Sequence, residues 1–221
     1  VGPSMETDQA RAMMVARLNN FLRGKSGASP DLIRQMVSVL NCELAVAAPL
    51  LGSIGSSDLV PLSHMAAALI GEGEFITSAG IRPAREVLNE NGIEPHKPVG
   101  RDGLALINGL AQSLGLSCLV LEDLKEVVNI SMAAAHLNGE LVSPGYLANQ
   151  YEFIKLKNHR SLDLLTETLM KFTEPTDDSL VRSPLSIRYS ITVFASLLDA
   201  LMGAIEAIEE ELNAVSDNPI I

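Results

Sequence analysis

Apolar residues recur three and four apart along most of the chain, and strict alternation of apolar and polar positions is nearly absent, so helices are predicted from end to end. They are expected over residues 7–23, 30–41, 59–70, 83–89, 103–121, 124–138, 160–171 and 185–214. Ser29-Pro30 and Ser183-Pro184 each read as an N-cap serine followed by proline at the first helical position, where a missing N–H has no partner to lose. In the last helix Ile205, Ile208 and Leu212 repeat at helical spacing, while Glu206, Glu209 and Glu210 fall between them as a wet face. Glycine, serine and proline gather in 49–61 and 92–100, which read as loops, and no internal repeat is visible. The expected fold is all-α, with long packed helices in one helical region over residues 1–221.

Composition sharpens this picture. Hydrophobic residues make up 47% of the chain and aromatics only 4%, so the core must be built from Ala, Leu, Ile, Val and Met, residues suited to packed helices. A formal charge of -11 repels phosphates and anionic lipid, which excludes nucleic acid and membrane surfaces as the main partners. Cys42 and Cys118 lie far apart without a Cys-x-x-Cys pairing and read as buried free thiols of a cytoplasmic protein. No charged segment followed by a short apolar run opens the sequence, so no signal peptide is read there. Residues 103–121 carry no charge and have the length of a bilayer span, but Asn108, Gln112 and Ser113 point to a helix buried in a bundle.

Candidate chemistry is concentrated in residues 52–64. There glycines and serines precede an apolar helix, so backbone amides gather at its N-terminus, either to cap the helix or to hold a site. The four histidines, His64, His96, His136 and His159, have no partner at metal-ligand spacing. His64 is placed in the helix after the loop and the other three in loops or on the surface. Asp177-Asp178 reads as a solvated loop, and no metal, nicotinamide or nucleotide site is indicated.

Gly52-Ser53-Ile54-Gly55, followed by Asp58-Leu59-Val60-Pro61-Leu62-Ser63-His64, resembles the signature of the aromatic amino acid and histidine ammonia-lyase family. Further segments agree in order: Arg11 to Met14 with Arg17-Leu18-Asn19, Gly24 and Ser26-Gly27; Gly103 to Gly109; Ser186-Ile187-Arg188; and Asn213 to Pro219. By that resemblance the whole protein deaminates an aromatic or histidine-like amino acid without oxidation, or, as an aminomutase, re-adds ammonia at the β-carbon. The electrophile implied is a methylidene-imidazolone that the family forms from an Ala-Ser-Gly triad. Here it would arise from Gly55, Ser56 and Ser57, with Asn108 lying against electrophile and substrate and Arg188 holding the substrate carboxylate. The resemblance also implies a homotetramer with composite active sites, and a catalytic tyrosine upstream of the region corresponding to Val1.

The chain departs from the family pattern in specific places. The triad is one residue short, so that it reads Gly55-Ser56-Ser57 counted back from Asp58 and Ser56-Ser57-Asp58 counted forward from Gly52. Arg182 and Leu185 stand where the family has glutamine and tyrosine, and Leu110 stands where threonine is common. A non-catalytic helical scaffold is therefore the reading from another class.

Overall fold

The computed structural model describes residues 2–173 and 184–215. Nine α-helices occur among them: α1 Thr7–Leu22, α2 Pro30–Asn41, α3 Leu59–Leu69, α4 Ala84–Glu90, α5 Asp102–Ile107, α6 Ala111–Val142, α7 Tyr151–Lys155, α8 Arg160–Leu169 and α9 Leu185–Asn213. The all-α class expected from the pattern is what the structure shows. One small antiparallel sheet accompanies the helices, with β1 Ala45–Val46 beside β2 Glu74–Thr77 and β2 beside β3 Gly80–Pro83. These strands are too short for alternation to register in the sequence.

The chain divides into two compact units, Val1–Val120 with Ala207–Ile221, and Leu121–Glu206. The first is built on a methionine-rich core. Met13, Met14 and Phe21 of α1, Met36 of α2, Met65 of α3 and Phe75 of β2 are all buried. Each such side chain contributes roughly 1.5–3 kcal/mol by leaving water. Ser29 caps α2 as expected, its Oγ accepting from the Leu32 amide at 3.2 Å ahead of Pro30. α1 starts with a capping box between Glu6 and Gln9. The segment leading to the glycine-serine loop is held on two sides: Met5 N donates to Ala48 O at 2.9 Å, and the Gln112 side chain donates to Leu50 O at 2.8 Å.

The second unit has a smaller core around Tyr146, Leu147, Ile154, Leu162 and Ile191. Its long helices leave large apolar side chains in solvent, among them Val127, Ile130, Leu137 and Leu141 of α6, and Leu185 and Val193 of α9. The acidic residues Glu206, Glu209 and Glu210 of α9 are exposed, as the pattern suggested.

Several expectations need correction. The helix expected over 103–121 is interrupted at Asn108–Leu110, and the break expected between 121 and 124 is absent because α6 runs on through Glu122-Asp123. Nothing in that acidic pair stops a helix, whereas Gly109 spends its backbone groups on another segment. Cys42 is exposed and Cys118 half-buried, where both were expected to be buried, though both are free. His96 lies in a loop as expected, though buried, whereas His136 is neither in a loop nor on the surface but buried within α6. His96 Nε2 lies 2.8 Å from Asp102 Oδ2, and His136 Nδ1 lies 3.3 Å from the Tyr146 hydroxyl. His159 is a surface residue as expected, and it caps α8 by accepting from the Leu162 amide. Ser183, Arg182 and Asp177-Asp178 lie outside the described residues.

Candidate active site

The glycine-serine loop passes from Gly52, whose φ is +144°, over Gly55 at +82° and into α3. At Gly52 a β-carbon would lie 2.6 Å from Val60 Cβ, so the tight entry into the loop requires glycine. Gly55 and Ser56 form the exposed tip, while Ser57 and Asp58 are buried with 4% and 0% of their surface exposed. The Ile54 amide donates to Ser57 O at 2.9 Å and closes the tip as a turn.

Ser57 and Asp58 are stitched to the break between α5 and α6. The Gly109 amide donates to Ser57 Oγ at 3.1 Å, and the Asp58 amide donates to Gly109 O at 2.8 Å. The Ser57 hydroxyl also lies 3.4 Å from Ile107 O and 3.3 Å from Gly109 O, where its proton is shared. The loop is thereby set against the residues on either side of Asn108. Among the described residues the Ser57 amide and the Ser56 side chain have no hydrogen-bond partner.

Asp58 stands at the N-cap position of α3, yet its side chain makes no bond to that helix. Its carboxylate instead accepts from the amide and the hydroxyl of Ser113 in the first turn of α6, both at 2.8 Å. There the unpaired amides and the helix dipole favour negative charge.

A second buried carboxylate supports the other end of α5. Asp102 accepts from the Ser29 amide at 2.7 Å, the Ser29 hydroxyl at 2.9 Å, the Val99 amide at 3.0 Å and the His96 ring. Burial favours the protonated form and pushes its pKa up, but the Val99 and Ser29 amides, with the His96 and Ser29 side chains, outweigh it and hold the carboxyl below the ordinary value.

Of the residues picked out in the sequence, Ser57 and the Asn108–Gly109 turn are brought together. Gly55 and Ser56 are carried on the exposed tip of the same loop. Arg188 belongs to the second unit, in the first turn of α9, and its buried Nε has no hydrogen-bond partner among the described residues. Arg17, quoted above only as part of the resemblance, is almost fully buried and donates to Ala105 O and, at 2.8 Å, to Asn108 O. The signal was present: Arg17 sits on the buried stripe Met13, Met14, Phe21, where a cation must have specific partners. Asp58 and Ser113 left no such trace, because they lie 55 residues apart. No group of three or more His, Cys, Asp or Glu suited to a metal occurs among the described residues.

Comparison with known proteins bears on the family and the fold. The family model described as aromatic amino acid lyase matches residues 1–221. The chain is 34% identical to a tyrosine ammonia-lyase of Cupriavidus metallidurans, covering all of this chain and 46% of that protein. It is 28% identical to a tyrosine 2,3-aminomutase of Myxococcus fulvus, covering all of this chain and 47% of that one. The solved histidine ammonia-lyase of Trypanosoma cruzi shares the fold with a TM-score of 0.90 at 26% identity, over 100% of this chain and 42% of its own. The chain therefore spans less than half the length of the relatives it matches. With a family match over every residue and the same helical fold, this chain belongs to the aromatic amino acid lyase family.

Proposed function

We propose that the protein containing this chain removes ammonia without oxidation from an aromatic or histidine-like L-α-amino acid, leaving the α,β-unsaturated acid. The observation that carries the reading is the pair of hydrogen bonds joining Ser57 and Asp58 to Gly109, which sets the serine pair against the Asn108 turn.

The residues present fit a methylidene-imidazolone built from Gly55-Ser56-Ser57 better than one built from Ser56-Ser57-Asp58. In the first register the Ser57 nitrogen closes on the Gly55 carbonyl carbon and the carbonyl oxygen leaves as water. Ser56 then loses its hydroxyl and α-proton as a second water. The Ser57 amide is unpaired and Ser56 is exposed, so neither step breaks a hydrogen bond. Closure through the Asp58 nitrogen would remove the N–H that donates to Gly109 and would dehydrate the serine that anchors the loop. The ring, once formed, supplies an electrophilic carbon for the substrate's amine or aromatic ring.

Arg188 suits the substrate carboxylate, because a guanidinium offers a planar two-point contact and this one has an unsatisfied buried nitrogen. Asn108 lies against ring and substrate. The general base is the tyrosine that the resemblance places upstream. The chain serves as the central helical region of a cytoplasmic homotetramer with composite active sites. The apolar side chains left in solvent on α6 and α9 support the assembly, and the free cysteines support the compartment.

The resemblance to a tyrosine 2,3-aminomutase favours a second reading, in which ammonia is returned at the β-carbon. Product analysis of the full-length protein with tyrosine, phenylalanine and histidine tests both. Ammonia released in step with the alkene establishes the lyase, and an accumulating β-amino acid the mutase. No turnover of any of the three points to a non-catalytic scaffold.

A further inference from the structure

Gly109 is a glycine for reasons of space. Its φ is outside the left-handed region, so the backbone there accepts any residue. A β-carbon at this position would nevertheless lie 2.4 Å from Arg17 Nη1. The guanidinium fills that space. From there Nη2 donates to Ala105 O and Asn108 O, two carbonyls at the end of α5, and Nη1 donates to Asn20 Oδ1 at 3.3 Å. The Arg17 plane is also held 4.7 Å from the Phe21 ring centroid.

A helix end leaves its last carbonyls without intrahelical partners, and a cation there is favoured by the dipole. Lysine could reach the same place but would offer a point charge in place of a planar fork. The turn that Arg17 closes is the one whose Gly109 amide and carbonyl hold Ser57 and Asp58.

We propose that Arg17 is a positioning residue for the candidate site. It acts by fixing the Asn108–Gly109 turn, and through Gly109 the loop at Ser57. Its bearing on ring formation rests on the function proposed above, whereas its hold on the turn does not.

The test is amide hydrogen exchange on the full-length protein, comparing wild type with Arg17→Met, Arg17→Lys and Gly109→Ala. In Arg17→Met the Asp58 and Gly109 amides are expected to exchange about tenfold faster or more, because their shared turn opens locally. Arg17→Lys restores part of the protection, and the Ile33 amide of α2 keeps its wild-type rate in both. Gly109→Ala, which displaces the guanidinium without removing it, gives the same local pattern and serves if Arg17→Met fails to fold. Wild-type rates at Asp58 and Gly109, or equal acceleration at Ile33, would overturn the proposal. A wild-type protein that never loses the two waters of ring closure defeats the ring reading alone, and the exchange pattern still decides the role of Arg17.

Discussion

Asp58 precedes α3, yet its carboxylate binds Ser113 of α6 through both the backbone amide and the hydroxyl, each at 2.8 Å. One residue thus ends the glycine-serine loop, leads into one helix and caps another. Asp58→Ala removes the acceptor that the Ser113 amide and hydroxyl share and should cost about 1–3 kcal/mol of stability. Chemical denaturation reads this, and Asp58→Asn, which keeps one acceptor, should lose less.

Ser57→Ala removes the acceptor for the buried Gly109 amide and should destabilise by about 1–3 kcal/mol. Ser56→Ala alters only an exposed side chain and should be near neutral in the same assay. Equal losses at the two positions would contradict the different burial of the serines.

Gly115→Ala separates propensity from packing. In an open helix the change should stabilise by about 1 kcal/mol. Here the new β-carbon would lie 2.6 Å from the Ala12 carbonyl carbon, a backbone atom of α1 that cannot turn aside. The expected result is a net loss of about 1–3 kcal/mol, read as a lower thermal midpoint.

Much of the fold was legible because helices announce themselves through local spacing. The capped start of α2 and the wet and dry faces of α9 are both local features. The small sheet was not, since Ala45 pairs with Ile76 across a distance no local pattern spans. The interruption at Asn108–Leu110 escaped detection because glycine alone does not stop a helix. The bonds from Ser57 and Asp58, about 50 residues earlier, take up the backbone groups of Gly109. The loop itself was legible from its glycines and serines, but which serine is anchored and which is free depends on that distant turn.

The Asp102 carboxyl is held below its ordinary value in the folded chain by His96, Ser29 and the Val99 amide. A group depressed in this way stabilises above its unfolded value, about 3.9, and loses that contribution as the pH falls through the lower folded value. Stability measured from pH 6 downwards should therefore fall at or below about pH 4, more steeply in wild type than in Asp102→Asn. Identical acid slopes would show that Asp102 contributes nothing to the acid transition.

The most direct test of the account is an accurate mass of the proteolytic peptide containing Ser53 to His64, taken from wild type, Ser56→Ala and Ser57→Ala. Ring closure at Gly55-Ser56-Ser57 predicts a deficit of two waters in wild type and in Ser57→Ala, but at most one in Ser56→Ala, which lacks the hydroxyl that leaves as the second. An unmodified wild-type mass, or a two-water deficit that disappears in Ser57→Ala and persists in Ser56→Ala, would contradict it.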